Sequence, residues 1–349
     1  MLIHDLGLPD LERFFQDLGE PKYRAAQVWR GLYKHYLDDA FSYSNLPASI
    51  KKRLAETCDF APLQPTLSQV SSDRQTRKVL FELKDGSRIE TVLMNYDPVT
   101  FSGRKRRTLC ISTQAGCAMG CVFCATGQMG FKRNLTVGEI VGQVLFFARE
   151  LKPADEKITH VVFMGMGEPF HNYENTTQAI DRLNDADGFN LGARRITIST
   201  VGLVPQIRRF ADEGRQVNLA ISLHTSDDED RSALMPVNRR YNIHSVFDAC
   251  RYYIAKTNRR ITFEWALIHN RNDTIEAAQL LAKHLKGMLC HVNAIPLNPT
   301  NGFVGMATSR DRAYVFREVL EREGIPCTIR MRRGIDIHAG CGQLAGGSQ

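Results

Sequence analysis

RTLCISTQAGCAMGCVFC, residues 107–124, joins a strand to a cysteine-bearing loop. RTLCIST is β-branched and apolar enough to read as a buried strand. The loop after it spaces its thiols as Cys117-x3-Cys121-x2-Cys124. Thiolates so close in sequence can wrap one iron–sulfur cluster, and Gly116 and Gly120 let the backbone turn tightly around it. Three thiolates on a four-iron cube leave one iron open to another ligand. The rival is a structural zinc site, which wants four protein donors. No second C-x2-C pair stands elsewhere in the chain to complete one.

Outward from this loop the pattern becomes regular. Strand-like runs RTLCIST, HVVFMGM, RRITIST, VNLAISLH, RITFEWALI and HVNAIPLN alternate with helical runs near 136–151, 173–186, 203–214, 244–258, 274–287 and 309–324. Thr136 and Glu139 form a capping box ahead of Ile140, Val144, Phe147 and Leu151. Six strand–helix units in succession require right-handed crossovers and a parallel sheet. Without a Gly-rich dinucleotide fingerprint, this is an α/β fold of the partial (β/α)6 barrel type, closed by a last strand, CTIRMRR. Active sites on such barrels lie at the C-terminal strand ends. Cys117 onward, Gly165 to Glu168, Ser199 to Gly202, Ser222 to His224 and Asn298 all fall there.

The remainder divides into an accessory domain at 1–75, a hairpin and connector at 76–103, the barrel at 104–336 and a tail at 337–349. LPDLERFFQDLG, YRAAQVWRGLYKHY and SIKKRLAET have helical spacing, so the first unit reads as a small helical domain. KVLFEL and RIETVLMNY flank the turn Lys84-Asp85-Gly86-Ser87 as a hairpin. DPVTFSGRKRR then reads as a polar connector.

Composition, with 43% hydrophobic and 24% charged residues, is that of a soluble globular protein. No apolar run is long enough to span a membrane. The start, MLIHDLGLPDLERFF, lacks a basic region followed by an apolar one, so a cytoplasmic location is expected. Nine cysteines, an odd number, argue against a disulfide framework. Cys58, Cys250, Cys290 and Cys327 sit singly in apolar patterns and read as buried thiols. A net charge of +7 becomes informative through its clustering, in Arg104 to Arg107, Lys132-Arg133, Arg194-Arg195, Arg208-Arg209, Arg239-Arg240, Arg259-Arg260 and Arg332-Arg333. Recurring basic pairs tilt the reading toward a nucleic-acid partner. Cys341, in HAGCGQLAGG, gains little from burial in a Gly-rich tail, and its glycines suit a reactive thiol on a mobile loop.

C-x3-C-x2-C after the first barrel strand resembles the radical S-adenosylmethionine (SAM) superfamily. TQAGCAMGCVFCATGQMGFKRNLTVGEIVGQV, FMGMGEP, ISLH, LMPVN, IPLNP and GIDIHAGCGQLAG, in order, resemble the RlmN/Cfr family of RNA methyltransferases within it. The resemblance implies a [4Fe-4S] cluster on Cys117, Cys121 and Cys124, and SAM, two per turnover, on Gly167, Glu168, Ser199, Ser222, Leu223, His224 and Asn298. It makes Cys341 the methyl-carrying cysteine, Glu90 the proton acceptor, and Cys110 the thiol that frees the product through a transient disulfide with Cys341. Without it, Cys110 would read as core and Glu90 as a solvent-facing strand residue. The implied reaction is methylation of carbon-2 of adenosine 2503 in 23S rRNA and adenosine 37 in some tRNAs. The implied partners are those RNAs and an electron donor such as flavodoxin, with the chain a monomer. Gly167-Glu168-Pro169 favours this branch over the Cfr branch, which methylates carbon-8. A non-catalytic, metal-stabilised RNA-binding protein is the reading from another class, and the isolated Cys341 argues against it.

Overall fold

The structure, a computed structural model, describes residues 1–96 and 105–347. Most of the expected connector, with Arg104 and the boundary at 103/104, lies outside the described residues. So do the last two residues of the tail.

Twelve strands run in chain order: β1 (Gln64–Val70), β2 (Thr76–Glu82), β3 (Arg88–Tyr96), β4 (Arg106–Cys110), β5 (Gln114–Gly116), β6 (Phe131–Asn134), β7 (His160–Phe163), β8 (Ile196–Thr200), β9 (Asn218–Ser222), β10 (Ile261–Leu267), β11 (Cys290–Pro296) and β12 (Cys327–Ile329). Ten of them form one sheet in the order β1-β2-β3-β4-β7-β8-β9-β10-β11-β12. Within this sheet every pairing from β4 to β12 is parallel. Helices Val137–Leu151, Tyr173–Asn184, Val204–Asp212, Ile243–Thr257, Ile275–Leu285 and Arg310–Arg322 fill the crossovers. This is the expected open α/β barrel, six strand–helix units and a final strand.

The capping box forms as its residues dictate. Glu139 N donates to Thr136 Oγ1 at 3.2 Å, and Thr136 N donates to Glu139 Oε2 at 2.9 Å. Val144, Phe147 and Ile140 of that helix are fully buried against the sheet, where each apolar side chain contributes roughly 1.5–3 kcal/mol.

Two features depart from the sequence reading. Strand β1, QPTLSQV, was not anticipated: its side chains are almost all exposed, Leu67 and Val70 included, so no alternation of burial marks it. With β2 and β3 it makes an antiparallel meander, and β3 pairs with β4, so the hairpin extends the barrel sheet itself. The N-terminal helices Leu8–Asp17, Tyr23–Tyr33 and Ala48–Thr57 form where helical spacing predicts. They are tied to the barrel's outer helices: Trp29 Nε1 donates to Asp185 Oδ2, Gly138 N to Asp5 Oδ1, and Arg182 to the carbonyls of His4 and Asp5.

Several basic pairs are already engaged within the fold. Arg133 holds Asp85 and Glu139 together, Arg209 pairs with Glu174 and Glu213, and Arg259 with Gln216 and Asn218. Among the described residues no helix is long and apolar enough to cross a membrane.

Candidate active site

A cavity of about 210 Å³ opens at the C-terminal ends of the parallel strands. Cys117, Cys121, Cys124, Cys110 and Cys341 all line it, with Gly167, Glu168, Ser199, Ser222, His224 and Asn298. Leu223 and Glu90 do not.

The cysteine loop is closed at its base by β5 and β6, which pair antiparallel. Gly116 has φ +74°, and a Cβ there would sit 1.9 Å from Gly130 O, so only glycine fits. Cys117 N donates to the same carbonyl at 2.9 Å. Gly120 also has positive φ, +65°, as the turn requires. Burial pushes the Cys117 thiol up to about 12 and Cys121 well up in the same direction. Iron reverses that, since it binds thiolate. Among the described residues no group of three or more His, Cys, Asp or Glu side chains is arranged to hold a single metal ion. Three thiols lining one cavity are a donor set that a cluster can use, each thiolate binding a different iron.

Gly167 and Glu168 form the next wall. Gly167 adopts φ +99°, and a Cβ would come within 2.5 Å of Gln114 Cβ and 2.8 Å of Gln114 N. Gln114 Oε1 in turn accepts from Glu168 N at 2.8 Å. Glu168 is buried; its carboxylate accepts from Phe170 N at 3.0 Å and Val201 N at 2.9 Å. Burial nevertheless pushes its pKa up to about 7, so a buried cation would be a welcome partner. Ser199 Oγ and Ser222 Oγ stand 3.4 Å apart.

His224 holds a left-handed conformation, φ 62°. Its Nδ1 accepts from Ala266 N at 3.0 Å, which puts the ring proton on Nε2. Burial, with Arg231 nearby, pushes its pKa down to about 3, so the ring stays neutral. Phe123 of the cysteine loop packs edge-on against it, 4.8 Å between centroids. Leu223 has its side chain in the core, with its N–H on Glu264 O and its carbonyl on Arg231.

The tail is docked, in place of the mobile loop expected from its glycines. Asn298 Nδ2 donates to Cys341 O at 3.0 Å, Ala125 N to Gly342 O at 2.7 Å, Gln343 Nε2 to Pro299 O at 3.0 Å and Thr126 Oγ1 to Leu344 O at 2.6 Å. Cys341 keeps accessible surface, facing the cavity. Burial pushes the Cys110 thiol up, with the Cys341 thiol adding to the effect. All nine cysteines are free thiols, so the Cys110–Cys341 bond is not formed. Cys58, Cys250, Cys290 and Cys327 are buried as expected.

Glu90 is the expected residue that the fold takes elsewhere. It is buried, its Oε1 pairs with Lys78 Nζ at 2.8 Å, and its Oε2 accepts from Ala345 N at 2.7 Å and Gly346 N at 3.0 Å. It clamps the tail instead of facing the cavity.

Three supporting residues were missed in the sequence. Arg231, fully buried, donates to the carbonyls of Val201, Ser222 and Leu223 and so staples the loops after β8 and β9. Asn272 Nδ2 holds His224 O at 2.6 Å. Glu264, in the middle of β10, lines the cavity. Its signal was there to read, an acidic residue inside the apolar run ITFEWALI.

Residues 111–281 match the Radical SAM superfamily, and residues 2–59 match the ribosomal RNA large subunit methyltransferase N-terminal domain. The dual-specificity RNA methyltransferase RlmN 1 of Myxococcus xanthus is 49% identical over 98% of this chain and 93% of its own length. The chain belongs to the RlmN family. A probable RlmN of Chloroflexus aurantiacus is 47% identical over 99% of the chain and 92% of its own. The crystal structure of a radical SAM methyltransferase from Sphaerobacter thermophilus superposes with a TM-score of 0.94, at 46% identity and 99% coverage of both chains. Membership of the radical SAM superfamily implies the [4Fe-4S] cluster and SAM, and the three cavity thiols are a donor set that fits.

Proposed function

We propose that this chain methylates carbon-2 of adenosine 2503 in 23S rRNA and adenosine 37 in some tRNAs, through a methyl group carried on Cys341. One observation carries the reading: Cys341, more than two hundred residues from the cysteine loop, lines the same cavity as Cys117, Cys121 and Cys124. When bound, the cluster and SAM, two molecules per turnover, supply the methyl group and the radical chemistry that electron-poor carbon-2 demands.

The chain's own groups then divide the work. Cys117, Cys121 and Cys124 hold the cluster and leave one iron open. Glu168 offers its carboxylate to the ammonium of SAM, while Gly167 allows that approach. Ser199, Ser222, His224 and Asn298 offer hydroxyl, imidazole and amide groups to the rest of SAM, and Leu223 supports the same loop. Cys341 carries the carbon to be transferred and Glu90 accepts the carbon-2 proton, for which it must let go of the tail amides. Cys110 attacks the Cys341 sulfur; the Cys341 sulfur–carbon bond breaks, and the freed carbon takes up a proton as the methyl of the product. A Cys110–Cys341 disulfide then remains to be reduced. The base must reach a strand-end cavity, which suits unpaired or easily splayed nucleotides. The chain acts in this reading as a cytoplasmic monomer that takes electrons from a donor such as flavodoxin.

Product analysis tests the reading. Unmodified 23S rRNA and tRNA are treated with the reconstituted protein and a reductant, digested, and compared by mass spectrometry with 2-methyladenosine and 8-methyladenosine standards. The expected product is 2-methyladenosine at both sites. Release of 8-methyladenosine, the Cfr-type outcome, overturns the regiochemistry. Bound zinc with no SAM cleavage overturns the enzyme reading in favour of a metal-stabilised RNA binder.

A further inference from the structure

The cavity holds two buried carboxylates, and only one has a partner in the reaction just described. Glu168 lies at the cluster end, where its charge acts on Cys117 and Cys121. Glu264, on β10, lines the same cavity, and its charge acts on Cys341 and Arg330.

The sheet explains this placement. Glu264 pairs in register with Ser222 of β9 and Asn293 of β11, so the three side chains share one face of the sheet. Asn293 Nδ2 donates to Glu264 Oε2 at 2.6 Å. The other carboxylate oxygen has no hydrogen-bond partner among the described residues, although the residue lines the cavity. Burial pushes the carboxyl up to about 7. A carboxylate kept in such a place without a full set of partners costs stability, and a ligand that donates a hydrogen bond removes the cost.

The walls around it are largely apolar, with Val92, Met94, Phe163, Ala266 and Ile295. Such walls receive a planar base but do not orient it; a few placed polar groups do that. The ring nitrogens of adenine at positions 1, 3 and 7 accept hydrogen bonds, and its exocyclic amine is the donor of the base. A lone acceptor beside Cys341 can therefore orient adenine through that amine. Guanine would turn a carbonyl oxygen toward the same carboxylate and be repelled.

We propose that Glu264, oriented by Asn293, binds the exocyclic amine of the target adenine and sets its ring against Cys341. The proposal rests on the adenine-modifying reading above and adds the group that selects the base. A ribose hydroxyl of SAM is the other donor that could meet this oxygen, and the experiment separates the two.

Binding of the full-length chain to a target RNA hairpin is measured by fluorescence anisotropy, with adenosine or purine riboside (adenosine without its amine) at the modified position. The wild type should prefer adenosine by roughly 10- to 100-fold, the worth of a buried charge-assisted hydrogen bond. Glu264→Gln must turn its carbonyl to Asn293 and present an amide donor to the amine, so it should bind both hairpins equally, at the wild-type level for purine riboside. That retained level also shows that the variant folds. Equal weakening toward both hairpins overturns the proposal in favour of a structural role. Unchanged preference for adenosine, with slower SAM cleavage in the absence of RNA, overturns it in favour of the ribose. A wild type that prefers adenosine yet yields no methylated product leaves Glu264 as the adenine contact while the reaction assigned above falls.

Discussion

Replacing Glu90 by glutamine should loosen the C-terminal tail by a measurable amount. The carboxylate does two jobs: Oε2 takes the amides of Ala345 and Gly346, and Oε1 neutralises Lys78, itself buried and bonded to His338 O at 3.3 Å. A glutamine carbonyl can face one of these jobs, and its amide must then face donors on the other. If the carbonyl stays with the tail, two charge-assisted bonds of about 1.5–3 kcal/mol become neutral ones of about 0.5–1.5 kcal/mol. Both bonds use one oxygen, so their losses do not add fully. A net local loss of about 2 kcal/mol is expected, which is close to 30-fold in the opening equilibrium. Hydrogen exchange read by mass spectrometry on the peptide covering 339–347 measures it directly, with a peptide from β10 as the unchanged reference. Exchange in the tail peptide that stays at the wild-type rate refutes the clamp, and with it the claim that Glu90 must release the tail to reach substrate.

Cys341→Ala should abolish RNA methylation while the reconstituted cluster keeps its visible absorbance; methylation retained in that variant sinks the Cys341 route. Gly167→Ala should cost about 2–5 kcal/mol in urea denaturation, from a side chain forced to positive φ and from overlap with Gln114; an unchanged midpoint would show that the turn relaxes freely. Glu168 carries a pH signature in the metal-free chain. Its carboxyl is raised from 4.5 to about 7 by burial, so its contribution is full below pH 4.5 and is lost as pH rises to 7. Relative to Glu168→Gln, the wild type should therefore lose about 3 kcal/mol across that window and nothing beyond it. Urea midpoints of both proteins at pH 4.5 and pH 8 check the sign, and a difference that does not change with pH contradicts it.

The barrel was legible because its parallel strands are buried on both faces. RRITIST and VNLAISLH are apolar runs bounded by special residues, and amphipathic helices separate them. The same physics hid β1, whose exposed side chains leave backbone pairing as its only mark. The cysteine loop declared itself through spacing, and Gly116 and Gly167 bear out the close approaches that glycine allows. What sequence could not give was the company each residue keeps. Arg231 reads as one arginine in an acidic helix, yet it is fully buried against three carbonyls. The glycines around Cys341 read as freedom, but the bonds that oppose it come from Asn298, Ala125, Thr126 and Glu90, none of them near in sequence.

That docking gives the site an order of events. Glu90 takes the tail amides through one oxygen and Lys78 through the other, so both oxygens are committed while the tail is closed. A proton acceptor needs a free lone pair directed at the proton it removes. The same tail carries Cys341, whose carbonyl is held by Asn298, an expected SAM contact. Movement that frees Glu90 therefore pulls on Cys341 and on the SAM wall together. Substrate binding would then supply the energy that opens the clamp, and Glu90 would stay committed to the tail until RNA arrives. A chain cut after residue 344 puts this to work as a test: it keeps Cys341 but lacks both clamped amides. If release of Glu90 limits the rate, that chain should methylate a saturating RNA substrate at least as fast as the full-length protein. A slower chain with intact cluster and SAM cleavage would show instead that the closed tail is the working state.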